Sequence, residues 1–341
     1  MRLLVRNHLH LLASLPTADA EVVYAPAVNS PSQEVFFRRR FEELRRAIPQ
    51  ASWEPATTRE DFDLVLAWDA PDERRRFGDK VTRDQNRLFD TTPHPIPEGF
   101  TPFRIQAEKV LPTHFPKARP PLDREVQAEL DYYFRQKRLP LTYLDTRNQM
   151  LGRDGSTRFS AFLSCGALDV RHLYNEVRAF EAEHGATKST GWIIFELLWR
   201  EFFHWHSRKH GDRYFSRNGL KGAPDFSPFQ AETAQTLQAR VQHPFFLAAL
   251  NELTTTGFLH NRTRQIFASV WINDLHLDWR AGAKLFEDHL IDYDVHSNYG
   301  NWMYLAGVGV DPRGQRYFDV AKQLATYDPK GEYLRRWGTP S

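Results

Sequence analysis

The chain has a single cysteine, Cys165, in 341 residues, so no disulfide forms within it, and such sparse cysteine suits a reducing compartment. It lacks any run of about eighteen uninterrupted apolar residues, so a helical membrane span is not expected. It lacks an excess of either charge: 45 basic against 43 acidic side chains leave +2, and any nucleic-acid surface must be a local patch. Neither the G-x-G-x-x-G nor the G-x-x-x-x-G-K-[ST] fingerprint occurs, which argues against a nucleotide held in a Rossmann turn or a P-loop. Internal repeats and low-complexity tracts are also missing. The opening MRLLVRNHLHLLASLPTADA has the early arginines and small-residue end of a secretory leader. Arg6, Asn7, His8 and His10 interrupt its apolar segment, so cleavage is not expected and a cytoplasmic protein is.

What the chain has in quantity is aromatic side chains, 13% of residues, with six of nine tryptophans between Trp192 and Trp302. That density suits a packed core and equally an interior that binds a flat ligand. Residues 1–95 alternate between strand-like EVVYAPAV and DFDLVLAW and the amphipathic helix VFFRRRFEELRRAI, the pattern of a small α/β domain. Residues 96–124 are proline-rich and are expected to link domains, because proline neither continues a helix nor donates to a ladder. From residue 125 to 341 the pattern is helical: REVQAELDYYFRQKR, VRHLYNEVRAFEAEHG, GWIIFELLWREFFHWHSRKHG, PFFLAALNELTTTG and LHNRTRQIFASVWINDL end at glycine, proline or a polar turn. The expected fold class is mostly α, a helical domain preceded by a small α/β domain.

Several groups of residues carry chemistry. In GWIIFELLWREFFHWH, a helical period aligns Glu196, Trp199, Arg200 and Phe203, embedding an acid and a guanidinium among apolar neighbours. Either they pair with each other at a solvated edge, or they face a ligand. In FLHNRTRQIFASVW, Asn261, Arg264 and Gln265 share one face, which is a solvated surface or a DNA- or cofactor-facing one. GRDGSTRFSAFLSCGAL opens a helix with hydroxyls, as a plain Ser/Thr cap or a phosphate site. LIDYDVHSNYGNW crowds Asp292, Asp294 and Asn298 beside Trp302. A helix cap by Asp294 or Ser297 explains one of those residues and leaves the others. His206 and His210 have the i, i+4 spacing of a zinc pair, but no H-E-x-x-H occurs and SRKHGD reads as a solvated basic last turn, so no metal is expected. Cys165, with no evident partner, reads as a small core residue.

Taken in order, STRFSAFLSCGAL, FELLWREFF, KHGDRYF, HNRTRQI, DWR, LIDYDVHSNYGNWMYLAGVGVDPRG and YDPKGEYLRRW resemble the photolyase/cryptochrome family over residues 125–337. KHGDRYF and NWMYLAGVGVDPRGQRYF are most similar to its DASH cryptochromes. The resemblance implies a helical FAD-binding domain. Tyr143, Thr157, Arg158, Phe159 and Ser160 would hold the phosphates and ribityl chain, and Arg200, Arg264, Asp292, Asp294 and Val295 would complete the pocket. Asn298 would place its amide opposite flavin N5, as in repair enzymes. The implied activity is light-driven: excited reduced FAD passes an electron to a cyclobutane pyrimidine dimer, the ring opens and the electron returns. Glu196 would bond the flipped base, Trp199 and Tyr304 would pack against it, and Asn261, Arg262, Gln265 and Gln323 would line the rim. Gln265 and Tyr304 stand where duplex-repairing relatives carry methionine and tryptophan, which implies a preference for damaged single-stranded DNA. The implied alternative is a blue-light photoreceptor that signals through a partner.

Two departures from the family pattern stand out. Its N-terminal domain is normally a fuller sheet that houses an antenna chromophore, whereas about 90 residues stand in that place here. A reduced domain without an antenna is expected, leaving light capture to the flavin. In the family's chain of tryptophans that carries electrons inward, Trp302 and Trp279 match the first two members. The third position falls on Thr236, so Trp271 or a tyrosine would have to substitute.

Overall fold

The computed structural model describes residues 1–6, 20–55, 57–59, 61–66, 76, 81–82, 86–90, 95–121, 123–222, 228–310 and 314–338. Residues 7–19 of the leader-like segment, the end of the DFDLVLAW strand and residues 311–313 of the VGVDPRG string lie outside the described residues. The chain divides into two compact units interleaved in sequence: residues 1–91, 111–141 and 158–197 form the first, and 92–110, 142–157 and 198–341 the second.

The first unit holds the α/β element that the alternating pattern predicts. Its parallel sheet has β1 Arg2–Val5, β2 Glu21–Tyr24, β3 Ser52–Trp53, β4 Leu64–Leu66 and β5 Val81–Thr82 in the order β3-β2-β1-β4-β5. β1 is central, with Leu3 opposite Val22 on one side and Leu64 on the other. Leu3, Leu4, Val5, Val22 and Val23 are all fully buried, the continuous apolar run expected where both faces of a parallel sheet are covered. The Pro31–Ala47 helix starts at Ser30, whose side chain accepts from the Gln33 N–H, and proline supplies the first turn. Its Phe37, Phe41 and Leu44 pack with Leu3, Val5 and Tyr24.

Arg40 on the same helix is 1% exposed, and its Nε lies 2.6 Å from Asp123 Oδ2 while Nη2 bonds Glu125. Asp123 also caps the Arg124–Leu130 helix by accepting from the Glu125 N–H, so one carboxylate anchors two helices. Burial pushes the Asp123 carboxyl up, and Arg40 opposes that shift. The Val170–His184 helix begins at Asp169, whose carboxylate accepts from Arg171 N–H, and ends at Gly185, where φ is +87°.

The second unit is helical, as the sequence periodicity predicts. The Pro-rich stretch expected as a linker contributes an eleven-residue helix, Phe100–Val110. Pro244–Thr256 is capped by His243, whose Nδ1 accepts from Phe246 N–H, and stops at Gly257 in the left-handed region, φ +68°. Asn261–Ser269 continues into a wider π-type turn, Val270–Asp274. Trp279–His289, Val295–Ala306, Val320–Tyr327 and Glu332–Trp337 complete the set. Phe246, Phe267, Trp271, Trp279, Phe286 and Trp302 belong to one buried cluster, so three of the six tryptophans between Trp192 and Trp302 lie in the core of this unit. A further helix, Lys188–His210, precedes these in the chain. Among the described residues, no helix is long and apolar enough to cross a membrane.

Candidate functional site

The turn before the Val295–Ala306 helix is built around its two acids. Asp294 Oδ1 accepts from Ser297 N–H at 2.9 Å, so the capping explanation holds for this residue. Its second oxygen lies 3.4 Å from Arg200 Nη2, and Asp294 is only 7% exposed. Asp292, equally buried, takes Arg264 Nη2 at 2.8 and 3.1 Å across its two oxygens. Arg264 is fixed in turn by its Nε bond to Leu259 O at 2.8 Å and by lying over the Phe258 ring. Two charge-assisted Arg–Asp pairs thus stand on one short turn, held by the helices that carry Arg200 and Arg264. Val295, at the first position of the helix, is buried beside them.

One turn along, Asn298 Nδ2 donates to Ala283 O at 2.9 Å. Only the amide nitrogen can donate to a carbonyl, so this bond fixes which way the side chain faces. Its Oδ1 remains available to accept from a ligand N–H. Trp302, 2% exposed, packs against Gly282, whose missing Cβ makes the room, and lies 5.2 Å from Phe286 and 6.0 Å from Trp271. Trp279 is fully buried, donates its indole N–H to Arg217 O, and meets the half-buried Tyr299 ring edge-on at 5.9 Å. Trp271 is also fully buried, whereas Thr236 is exposed and serves in the capping box of a seven-residue helix, Ala234–Arg240.

The residues expected at a DNA rim fall into two local groups. Arg262 donates to Gln323 Oε1 at 3.3 Å and to Asn148 Oδ1 at 2.9 Å, and its guanidinium lies 4.6 Å from the Tyr327 ring. Burial holds its pKa below the usual arginine value. The structure therefore joins Arg262 and Gln323, which are sixty-one positions apart, and adds Asn148, for which the sequence offers no signal. Asn261 is exposed and Gln265 half-buried on the same helix, opposite Ile266 and Phe267. The second group is aromatic. Trp199 and Tyr304 meet at 6.2 Å, and the Tyr304 hydroxyl accepts from Arg316. Phe100 is stacked on Trp199 at 3.7 Å and 10°, covering one face of the indole.

The first unit carries the other expected residues. Glu196 Oε1 accepts from Trp192 Nε1 at 3.0 Å, which orients the carboxylate along its own helix. Arg158 has φ +60°, uncommon for a residue with a Cβ, at the entry to the five-residue Ser160–Ser164 helix. That helix has Phe159 at its N-cap and no side-chain cap bond, so the plain Ser/Thr cap is not what this segment provides. Phe159 is 1% exposed and stacks on Phe134, so its ring belongs to the core of this unit. Ser160 is exposed. Cys165 is buried, as expected, and burial pushes its thiol up to about 11. In the second unit, Tyr143 begins a four-residue helix and Thr157 is half-buried.

One expectation is corrected here. The last turn of the Lys188–His210 helix is basic as expected, with Lys209 exposed and Arg208 and His210 half-buried, but the turn's start is not solvated: Ser207 is 3% exposed, and His206, just before it, 1%.

Residues 192–339 match the model for the FAD binding domain of DNA photolyase. Across the whole chain, the fold superposes on a Synechocystis cryptochrome with a TM-score of 0.79 at 29% identity, covering 99% of this chain and 88% of that one. Residues 192–339 thus carry the FAD-binding domain of the photolyase/cryptochrome family. It is 47% identical over 197 residues to the DASH cryptochrome of Idiomarina loihiensis, covering 58% of this chain and 44% of that protein. With the DASH cryptochrome of Vibrio parahaemolyticus the identity is 38% over 280 residues, covering 74% and 63%. The chain spans between about a third and two thirds of the length of the curated relatives it matches. A class III photolyase from Agrobacterium tumefaciens shares the fold, with a TM-score of 0.70 at 19% identity.

The match makes FAD the cofactor of the photolyase/cryptochrome domain, and the residues present suit it. Two guanidiniums held on carboxylates offer charge to phosphates, and Asn298 offers an amide acceptor to a ring N–H.

Proposed function

We propose that this chain is a light-dependent FAD photolyase that repairs cyclobutane pyrimidine dimers, preferentially in single-stranded DNA. When bound, FAD supplies the light-driven electron for this chemistry. Asn298 carries the reading: with its nitrogen committed to Ala283 O, its oxygen is presented as a fixed acceptor and needs no reorganisation when a ligand arrives. Asp292 and Asp294 keep Arg264 and Arg200 oriented, so that charge is in place before the ligand binds. Trp302 supplies a buried indole on the helix that carries Asn298.

On the substrate side, Glu196, oriented by Trp192, would accept from the ring N–H of a flipped pyrimidine, and Trp199 would stack against it. Gln265 and Tyr304 support the single-strand preference. An amide and a tethered phenol supply less apolar contact than methionine and tryptophan, so less binding energy is available to extract a base from a duplex.

The test is to reduce the protein chemically, add dimer-containing single strands, illuminate with blue light and count restored thymines. Restoration in light and none in the dark is the expected result. Failure would favour the second reading, a blue-light receptor without repair. One observation supports that alternative: Phe100 lies flat on the indole that a flipped base would need.

A further inference from the structure

Away from the acids and amide described above, three donor atoms converge at the end of the Lys188–His210 helix. His206 Nε2 lies 3.2 Å, and His210 Nε2 3.1 Å, from the same oxygen of Glu98, Oε2. All three atoms lie within 4.8 Å of one another. The two imidazoles are one helical turn apart, so their rings project from the same side at a centroid separation of 4.4 Å. Glu98 comes from the segment just before the Phe100–Val110 helix, and Lys209 fixes that segment by donating to Ile96 O at 2.8 Å and to Glu98 Oε1 at 2.6 Å.

We propose that Glu98, His206 and His210 form a binding site for a divalent transition-metal cation, Zn²⁺ by its donor set. Bonds of about 2.0–2.2 Å from zinc to imidazole nitrogen and carboxylate oxygen place neighbouring tetrahedral ligands about 3.3–3.4 Å apart. The two nitrogen-to-oxygen separations are already within a few tenths of an ångström of that edge. Two imidazoles and one carboxylate suit zinc and its neighbours better than calcium or magnesium, which prefer all-oxygen sets. A three-ligand set leaves a fourth position for water.

His206 is held from behind by Phe202 at 5.0 Å and Tyr214 at 6.0 Å, so its ring is fixed before any ion arrives. The Glu98 side chain is 62% exposed, which gives the ion a way in from solvent. The competing interpretation is an ion-pair cluster in which Lys209 alone neutralises Glu98. There Lys209 donates to Oε1 while the two imidazoles donate Nε2–H to Oε2, and the metal form differs from it by replacing those two protons with one ion. Two residues beyond Glu98 is Phe100, so a bound ion would also secure the residue that covers Trp199.

The experiment uses the full, tag-free chain after treatment with a chelator. Co²⁺ is titrated in and followed by its visible d–d absorption, and Zn²⁺ is then added as competitor. The expected result is saturation near one equivalent, displacement by Zn²⁺, and at least a tenfold loss of Co²⁺ affinity in both Glu98→Gln and His210→Ala. Glu98 is exposed and His210 lies near the helix end, and unchanged far-UV circular dichroism would show that the variants fold. Absence of the absorption in the unmodified chain would leave an ion-pair cluster only and overturn the proposal. Wild-type affinity in both variants would also overturn it, by placing the ion elsewhere.

Discussion

Gly282→Ala should destabilise the protein although it replaces the second-worst helix former with the best. In an open helical position the exchange stabilises by up to about 1 kcal/mol. At residue 282 a Cβ would stand 2.6 and 2.9 Å from Cζ3 and Cζ2 of Trp302, and closer still to Cη2. The indole has little room to retreat, since it is 2% exposed and backed by Phe286 and Trp271. Overpacking of this kind costs about 1–3 kcal/mol, and a rigid ring among rigid neighbours belongs at the upper end. The net loss should be about 2 kcal/mol, read as a lower urea midpoint with an unchanged m-value. Gly191→Ala is the internal control. It lies in the Lys188–His210 helix with nothing within 4 Å of the added carbon, and should stabilise by about 0.5 kcal/mol. If Gly282→Ala matched Gly191→Ala, the close packing of the Trp279–His289 and Val295–Ala306 helices around Trp302 would be refuted.

Trp302→Phe should abolish flavin photoreduction, and Tyr299→Phe should slow it at least tenfold, because Tyr299 is the half-buried ring nearest Trp279; unchanged bleaching of the oxidised flavin band in Tyr299→Phe would rule out that exit. Arg264→Met strands the buried Asp292 carboxylate and should cost about 3 kcal/mol, together with retention of FAD on gel filtration; full retention would show that the pair does not serve the cofactor. Stability should decline as pH falls from about 6.5 to 4. Over that window the unfolded chain protonates His206 while the folded chain, with the imidazole held at about 4, does not. The contribution is complete above pH 6.5 and on the order of 3 kcal/mol, and a flat urea midpoint across the window would contradict it. Dimer loss should be faster in single-stranded than in matched duplex oligonucleotides, and equal rates would remove the role given to Gln265 and Tyr304.

The α/β element and most helices were legible because their signals are local. The VFFRRRFEELRRAI period, the Pro244 start and the Gly257 stop each act within a few residues, and the structure follows them. β1 was not legible as a strand: RLLV is short, and its identity comes from pairing with β2 and β4 on both sides. The Phe100–Val110 helix was hidden by its prolines: Pro102 stands in the first turn, where a backbone N–H has no intrahelical partner to lose, and the others lie outside the helix.

The sequence alone determined the family, the helical periodicity and the residue types of the candidate site, because ordered strings and spacing survive without coordinates. Tertiary structure decided which of those residues meet. It set Arg264 on Asp292 and Arg200 on Asp294, and it turned the Asn298 amide by a bond to Ala283 O. It also laid Phe100 on Trp199, and brought Glu98, more than a hundred positions away, to the His206 and His210 pair. Helical spacing specifies the side of one helix on which a side chain stands. What it meets there depends on a second segment whose position is fixed only when the core closes.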